Sequence, residues 1–161
     1  MIEVVKNLFV GSEADEARIR SHSGWFVIHA CKEPYHRQAL GYDGKAAPKT
    51  HPEYLIARRD GRLILNLIDA PNMAFIPAEV IDAAVEAIAE NIGKMCVLVH
   101  CNQGMSRSPT IAFLYMARHG RAFVGAGFDE ARARFVSVYP NYNPGKGAFD
   151  YAATNWSKYN G

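Results

Sequence analysis

Apolar positions along this chain recur in two rhythms. Short apolar runs of strand length are separated by longer stretches in which apolar residues return every three or four positions. Ile2–Val5 and residues 8–10 are β-prone runs broken by Lys6-Asn7. Residues 25–30, 63–68 and 95–99 read as buried strands, the second entered through the Asp60-Gly61 turn signal. Ser12 caps a predicted helix over 13–21, with Glu13, Asp15 and Glu16 in its first turn. Pro77 is expected as the first residue of another helix, on which Val80, Ile81, Ala84, Val85, Ile88 and Ile92 share a face until Gly93 ends it. Further helices are predicted over 110–119, stopped by His119-Gly120, over 128–138, and from 145 to 158. Residues 32–52 mix Gly, Pro, His and charges without a period and read as a surface loop.

Strands alternate with helices through the middle of the chain. That order predicts an α/β fold with a mainly parallel central sheet flanked by helices on both faces. The 161 residues suffice for one full core and are too few for two ordinary domains, so a single domain over 1–161 is expected. Composition adds exclusions. A net charge of +2 gives no nucleic-acid or membrane-binding signal. Cys31, Cys96 and Cys101 are widely spaced and odd in number, which argues against a zinc site and against a secreted disulfide framework. No metal and no cofactor are expected. The start shows no signal peptide, and no apolar stretch approaches the roughly 20 residues of a membrane span. A cytoplasmic location, where a free thiol survives, is the expectation.

The most chemically specific segment is His100-Cys101-Asn102-Gln103-Gly104-Met105-Ser106-Arg107-Ser108-Pro109, between a predicted strand and a predicted helix. Only about 3% of a free cysteine is thiolate at pH 7. A loop at a helix N-terminus can stabilise the anion, because its backbone N–H groups converge and the helix dipole is positive there. The same groups, from Asn102 through Gln103, Gly104, Met105 and Ser106 to Arg107, would bind a phosphate. Gly104 permits a tight turn, and Arg107 presents a planar fork to two phosphoryl oxygens. Pro109 fits the first helical turn, where its missing N–H costs nothing. A phosphate ester also needs a proton for its leaving oxygen. Asp69, directly after the strand at 63–68, is one candidate by position. Asp60 reads as a turn residue and Asp82 as a helix residue, while Asp150 has no motif.

The pattern HCxxGxxRS resembles the signature of the cysteine-dependent protein phosphatases, in particular the dual-specificity group. The opening Asn7-Leu8-Phe9-Val10-Gly11-Ser12 and the order of elements from Phe75 to Ala117 are similar to that group as well, so that about 130 of the 161 residues are covered. The resemblance implies the dual-specificity phosphatase fold and a phosphomonoester hydrolase that works through a cysteinyl-phosphate intermediate. It implies Cys101 as nucleophile, Arg107 as phosphoryl holder and Asp69 as general acid and base. Ser108 would hydrogen-bond the departing thiolate, and His100 would orient the loop as a buried hydrogen-bonder and help keep the thiol acidic.

Departures bear on the substrate. Gln103 and Met105 stand where many dual-specificity members carry small or β-branched residues. No tyrosine-rich segment builds a deep phosphotyrosine wall: Tyr35 lies in a poor context, so a shallow site is expected. Pro140-Asn141-Tyr142-Asn143-Pro144-Gly145 loosely resembles a family stretch in which Asn141 would support the loop. Arg58 and Arg59 read as a solvated basic turn. Cys31 ends a predicted strand near the ligand edge of the sheet. By resemblance to the lipid-phosphatase branch it would pair reversibly with Cys101 under oxidation, and otherwise it is a small core residue. The expected partner is a phosphorylated substrate, a protein first, with a phosphoinositide, a nucleic-acid 5′ phosphate or a phosphosugar as alternatives. Two rivals are a phosphate-binding module without turnover and a rhodanese-type sulfurtransferase.

Overall fold

The computed structural model describes residues 1–161. Its centre is a six-stranded sheet in the order β1-β2-β6-β3-β5-β4. The strands are β1 (Ile2–Val5), β2 (Leu8–Gly11), β3 (Trp25–His29), β4 (Ile56–Arg59), β5 (Arg62–Leu65) and β6 (Cys96–His100). The inner strands β2, β6, β3 and β5 pair in parallel, while β1 and β4 add antiparallel edges. The sheet is therefore mixed, parallel where it matters for the site. The hairpin loop Lys6-Asn7 sets Asn7 at φ 68°, and the β4–β5 turn uses Gly61 at φ 70°.

The helices are α1 (Glu13–Ile19), α2 (Arg37–Leu40), α3 (Ala78–Asn91), α4 (Arg107–Arg118), α5 (Phe128–Val138), α6 (Lys146–Thr154) and α7 (Trp156–Asn160). They divide unequally between the sheet faces. One apolar cluster of 39 buried residues takes in side chains of α3 to α7, together with Tyr35, Ala57 and Ile64 from the opposite face, whereas a second holds only Ile19, Val27 and Leu98, with Ile19 supplied by α1. Helix α4 is the axis of the larger core: all of its side chains from Ser108 to Ala117 are buried. A helix buried on every side carries no polar face, which is why its apolar run is continuous.

Several boundaries differ from the sequence expectation, each for a local reason. Helix α4 begins at Arg107, three residues early, because Thr110 N–H already bonds Ser106 O. Pro77 is the cap of α3 and not its first residue, since its ψ of 129° is extended. The terminal helix breaks in two at Asn155. Strand β4 was not legible: in Ile-Ala-Arg-Arg only Ala57 is fully buried, and the two arginines face solvent on an edge. Arg58 and Arg59 thus belong to a strand, and Arg59 pairs with Glu53. The 32–52 loop is also more ordered than its composition suggests. A helical turn at Lys32–His36 runs into α2, burying Tyr35 and His36. The His36 ring is tied to Tyr42 Oη at 3.0 Å and to Glu53 O at 2.9 Å. No helix is long and apolar enough to cross a membrane.

Candidate active site

Parallel pairing sets the C-terminal ends of three strands side by side. Gly11 and His29 flank His100 in register from the two neighbouring strands. Residues 101–106 leave this edge and arch into the N-terminus of α4. Backbone bonds seat the arch: Cys101 N–H reaches Gly11 O at 3.4 Å and Glu13 N–H reaches Asn102 O at 3.2 Å. Gly104 lies at φ 72°, and a Cβ there would come within 2.9 Å of Gly11 backbone atoms. Both the left-handed conformation and the close approach require glycine.

Cys101 is buried, with Sγ 3.2 Å from Ser108 Oγ. Ser108 Oγ is also 3.3 Å from Gly11 O. One hydroxyl hydrogen cannot serve both acceptors at once. It can satisfy the carbonyl while sulfur is occupied and swing to sulfur when negative charge appears there. Behind the nucleophile runs a line of buried rings. His100 Nδ1 lies 3.3 Å from Cys101 O, and His100 Nε2 lies 2.7 Å from His29 Nδ1. His29 Nε2 meets Arg62 Nη1 at 3.4 Å. One tautomer set satisfies all three contacts, with His100 Nδ1–H donating to the carbonyl, His29 Nδ1–H to His100, and Arg62 to His29. Burial pushes the His100 pKa down to about 4 and lowers that of His29 further. Both rings are neutral near pH 7. His100 is thus placed as a buried hydrogen-bonder against the Cys101 carbonyl. Tyr35 stacks on His29 at 4.3 Å between ring centroids, and its hydroxyl donates to Glu16 Oε2 at 3.2 Å. Its role lies beneath the loop, where the sequence context did not point.

Arg107 opens α4. Its Nη1 donates to Leu67 O at 3.0 Å and its Nη2 to Asn102 Oδ1 at 2.7 Å, while Nε is buried without a partner. Asp69 is exposed on the strand-exit segment that carries Leu67. A cavity of about 480 Å³ is lined by Cys101, Arg107 and Asp69 together, with Gln103 and Met105 on its rim. Asn143, Pro144 and Gly145 close one side, and no aromatic residue lines it.

The segment from Tyr139 to Gly145 straps the arch. Tyr139 Oη donates to Gly104 O at 2.6 Å, Asn143 N–H to Met105 O at 2.8 Å, and Gly145 N–H to Ser106 Oγ at 2.9 Å. Asn141 is exposed and makes no hydrogen bond to the loop, which corrects the support expected of it. Tyr139 and Tyr142 on either side are buried, whereas Pro140 and Asn141 are exposed. The Asn-Pro-Gly composition of this stretch marked a turn, but nothing local marked Tyr139 as a loop ligand. Cys31 is fully buried one residue beyond Ala30, whose N–H bonds His100 O at 2.8 Å. Burial pushes its thiol up to about 12, which suits a small core residue better than a ready thiolate.

No protein-family model matches the chain. Over 58 residues it is 39% identical to human dual specificity protein phosphatase 5, covering 36% of this chain and 15% of that protein. Over 51 residues it is 39% identical to the tyrosine-protein phosphatase vhp-1 of Caenorhabditis elegans, covering 32% of this chain and 8% of that protein. The chain thus spans a small part of the curated relatives it matches. The DUSP15 crystal structure superposes with a TM-score of 0.62 at 17% identity, covering 98% of this chain and 88% of that one. The human tyrosine phosphatase-like serine/threonine/tyrosine-interacting protein gives 0.60 at 20% identity, covering 97% and 94%. The fold is that of the dual-specificity phosphatases. With the matched segments and the HCxxGxxRS loop, the likeness to this group of cysteine-dependent phosphatases holds in both sequence and structure.

Proposed function

We propose that this chain is a metal-independent phosphomonoester hydrolase of the dual-specificity type, acting on phosphorylated protein. The observation that carries the reading is one cavity shared by Cys101, Arg107 and Asp69, with a serine hydroxyl 3.2 Å from the sulfur. The Cys101 thiolate attacks phosphorus, forming an S–P bond as the ester P–O bond breaks. The Asp69 carboxyl gives its proton to the leaving oxygen. Asp69, now a carboxylate, takes a proton from water, whose oxygen attacks phosphorus. The S–P bond breaks, inorganic phosphate forms, and the sulfur leaves as a thiolate that accepts the Ser108 hydroxyl hydrogen. Arg107 and the N–H groups of the arch hold the phosphoryl oxygens throughout. A cavity with no aromatic wall favours a shallow site open to phosphoserine and phosphothreonine as well as phosphotyrosine. Asp69 and the retained nucleophile favour turnover over simple phosphate binding. They equally disfavour sulfur transfer, which needs no acid for a leaving alcohol.

The test is hydrolysis of para-nitrophenyl phosphate and of a phosphopeptide panel in the presence of EDTA. Cys101→Ser is expected to abolish turnover, and Arg107→Lys to impair it severely because a point charge cannot replace the fork. Asp69→Ala is expected to lower kcat by about 10²–10⁴ on alkyl phosphates and by less on the aryl ester, whose leaving group needs less protonation. Wild-type turnover by Cys101→Ser would overturn the reading.

A further inference from the structure

We propose that the Asn102 side chain is a positioning residue that clamps Arg107 in its phosphate-holding orientation, an inference that rests on the phosphatase reading of the site. Nothing in the motif demands an asparagine after the cysteine. Here its carboxamide is nonetheless fully committed. Oδ1 accepts from Arg107 Nη2 at 2.7 Å, and Nδ2 donates to Glu13 Oε2 at 3.0 Å and to Glu33 O at 3.0 Å. These partners settle which way the amide faces. Turned over, it would set N–H groups against a guanidinium and an oxygen against a carboxylate and a carbonyl. The group needs an acceptor on one side and two donors on the other, in one plane. Asn meets that demand; Asp lacks the donors, and Ala or Leu lacks everything.

The consequence falls on Arg107. Leu67 O holds Nη1 at 3.0 Å and Asn102 holds Nη2, so the guanidinium plane is pinned at two corners. Of its five N–H groups, two are spent. The Nε–H is buried and has no protein partner. Arg107 lines the cavity, and a guanidinium fixed in plane leaves its unspent N–H groups at set positions for phosphoryl oxygens. Arginine loses much rotamer freedom when it is fixed, and the clamp meets that cost before substrate arrives. The anchor extends outward: Glu13 begins α1 and Glu33 belongs to the turn that buries Tyr35, so both elements that cradle the arch bear on the arginine through one amide.

The test measures the affinity of inorganic tungstate, a phosphate mimic, by calorimetry, together with para-nitrophenyl phosphate kinetics. For Asn102→Ala we expect tungstate affinity and kcat/KM each to fall about 10-fold to 100-fold, the range of a hydrogen bond to a charged group. The melting temperature should stay within a few degrees, and iodoacetamide should label Cys101 at the wild-type rate. Asn102→Asp should also be impaired, because its carboxylate faces Glu13. Adding Glu13→Gln to Asn102→Asp restores a donor opposite an acceptor and should recover part of the tungstate affinity. Tungstate affinity within twofold of wild type for Asn102→Ala would overturn the proposal. So would a loss matched by an equal loss of Cys101 labelling, since the arch would then have failed as a whole. If the wild type binds tungstate without hydrolysing the ester, the phosphatase reading falls and the clamp is judged on binding alone. If it binds no tungstate, both fall.

Discussion

Gly104 carries a demand that no other residue of the arch meets. Its φ of 72° and its 2.9 Å approach to Gly11 leave no room for a side chain. Gly104→Ala should lift the arch from β2 and cost about 10² or more in kcat/KM, because small misplacements of reacting groups are that expensive. Steady-state kinetics beside circular dichroism would check it: unchanged secondary structure with lost turnover is the expected pair. At this scale the sequence was informative wherever a residue acts through its own backbone or within a few positions. Cys101, Ser108, Gly104 and Arg107 fall in that class. The hydrogen bond from Tyr139 to Gly104 crosses 35 positions, and no local pattern encodes it. Asn141 was favoured by the loose resemblance of residues 140–145 to a family stretch, and such a likeness does not say which residue of a turn faces inward.

Among the elements, α6 and the segment carrying Asp69 are closely joined. Gly147, in the first turn of α6, donates its N–H to Ala70 O at 3.1 Å, and a Cβ there would stand 2.3 Å from that oxygen. Gly147→Ala should therefore push the helix and the segment apart and destabilise the fold by about 1–3 kcal/mol, the usual cost of overpacking. Urea unfolding would read that loss. The displacement also moves Asp69, so kcat on alkyl phosphates should fall more than on an aryl ester. Helix and strand assignments were most accurate where period and length agreed, as in α5, whose bounds coincide with the expected 128–138. They failed at β4, where an edge strand buries only one side chain and its arginines mask the β pattern. They failed again at Lys32–Leu40, whose short helical turns are held by His36 and Arg37 contacts with no apolar repeat.

For the molecule as a whole, the buried imidazoles make stability depend on pH. Burial holds the His100 pKa near 4 against an ordinary value of 6.5. Between those values the unfolded chain binds the proton and the folded chain does not. This contribution is complete above pH 6.5 and is lost as pH falls toward 4, amounting to about 2 kcal/mol by pH 5. His29 acts in the same direction. Chemical denaturation at pH 7.5 and pH 5 would show the drop, and His100→Asn should flatten it. The carboxylate Glu16 titrates in a lower window: burial is the largest influence and opposes its charge, but Arg20, with the Tyr35 hydroxyl and His100, holds it below its ordinary value, so its share is lost only under stronger acid. The amino-acid sequence by itself determined the α/β order of elements, the arch between β6 and α4, and the thiol and guanidinium at its ends, because these follow from periodicity and short-range spacing. Tertiary structure alone decided how the site closes. Parallel pairing aligned Gly11, His29 and His100, the 139–145 strap tied the arch from outside, and Asn102 met Glu13 and Glu33 across 89 and 69 positions. Contacts of that range depend on which faces the packed core turns toward one another, and no window along the chain carries that information.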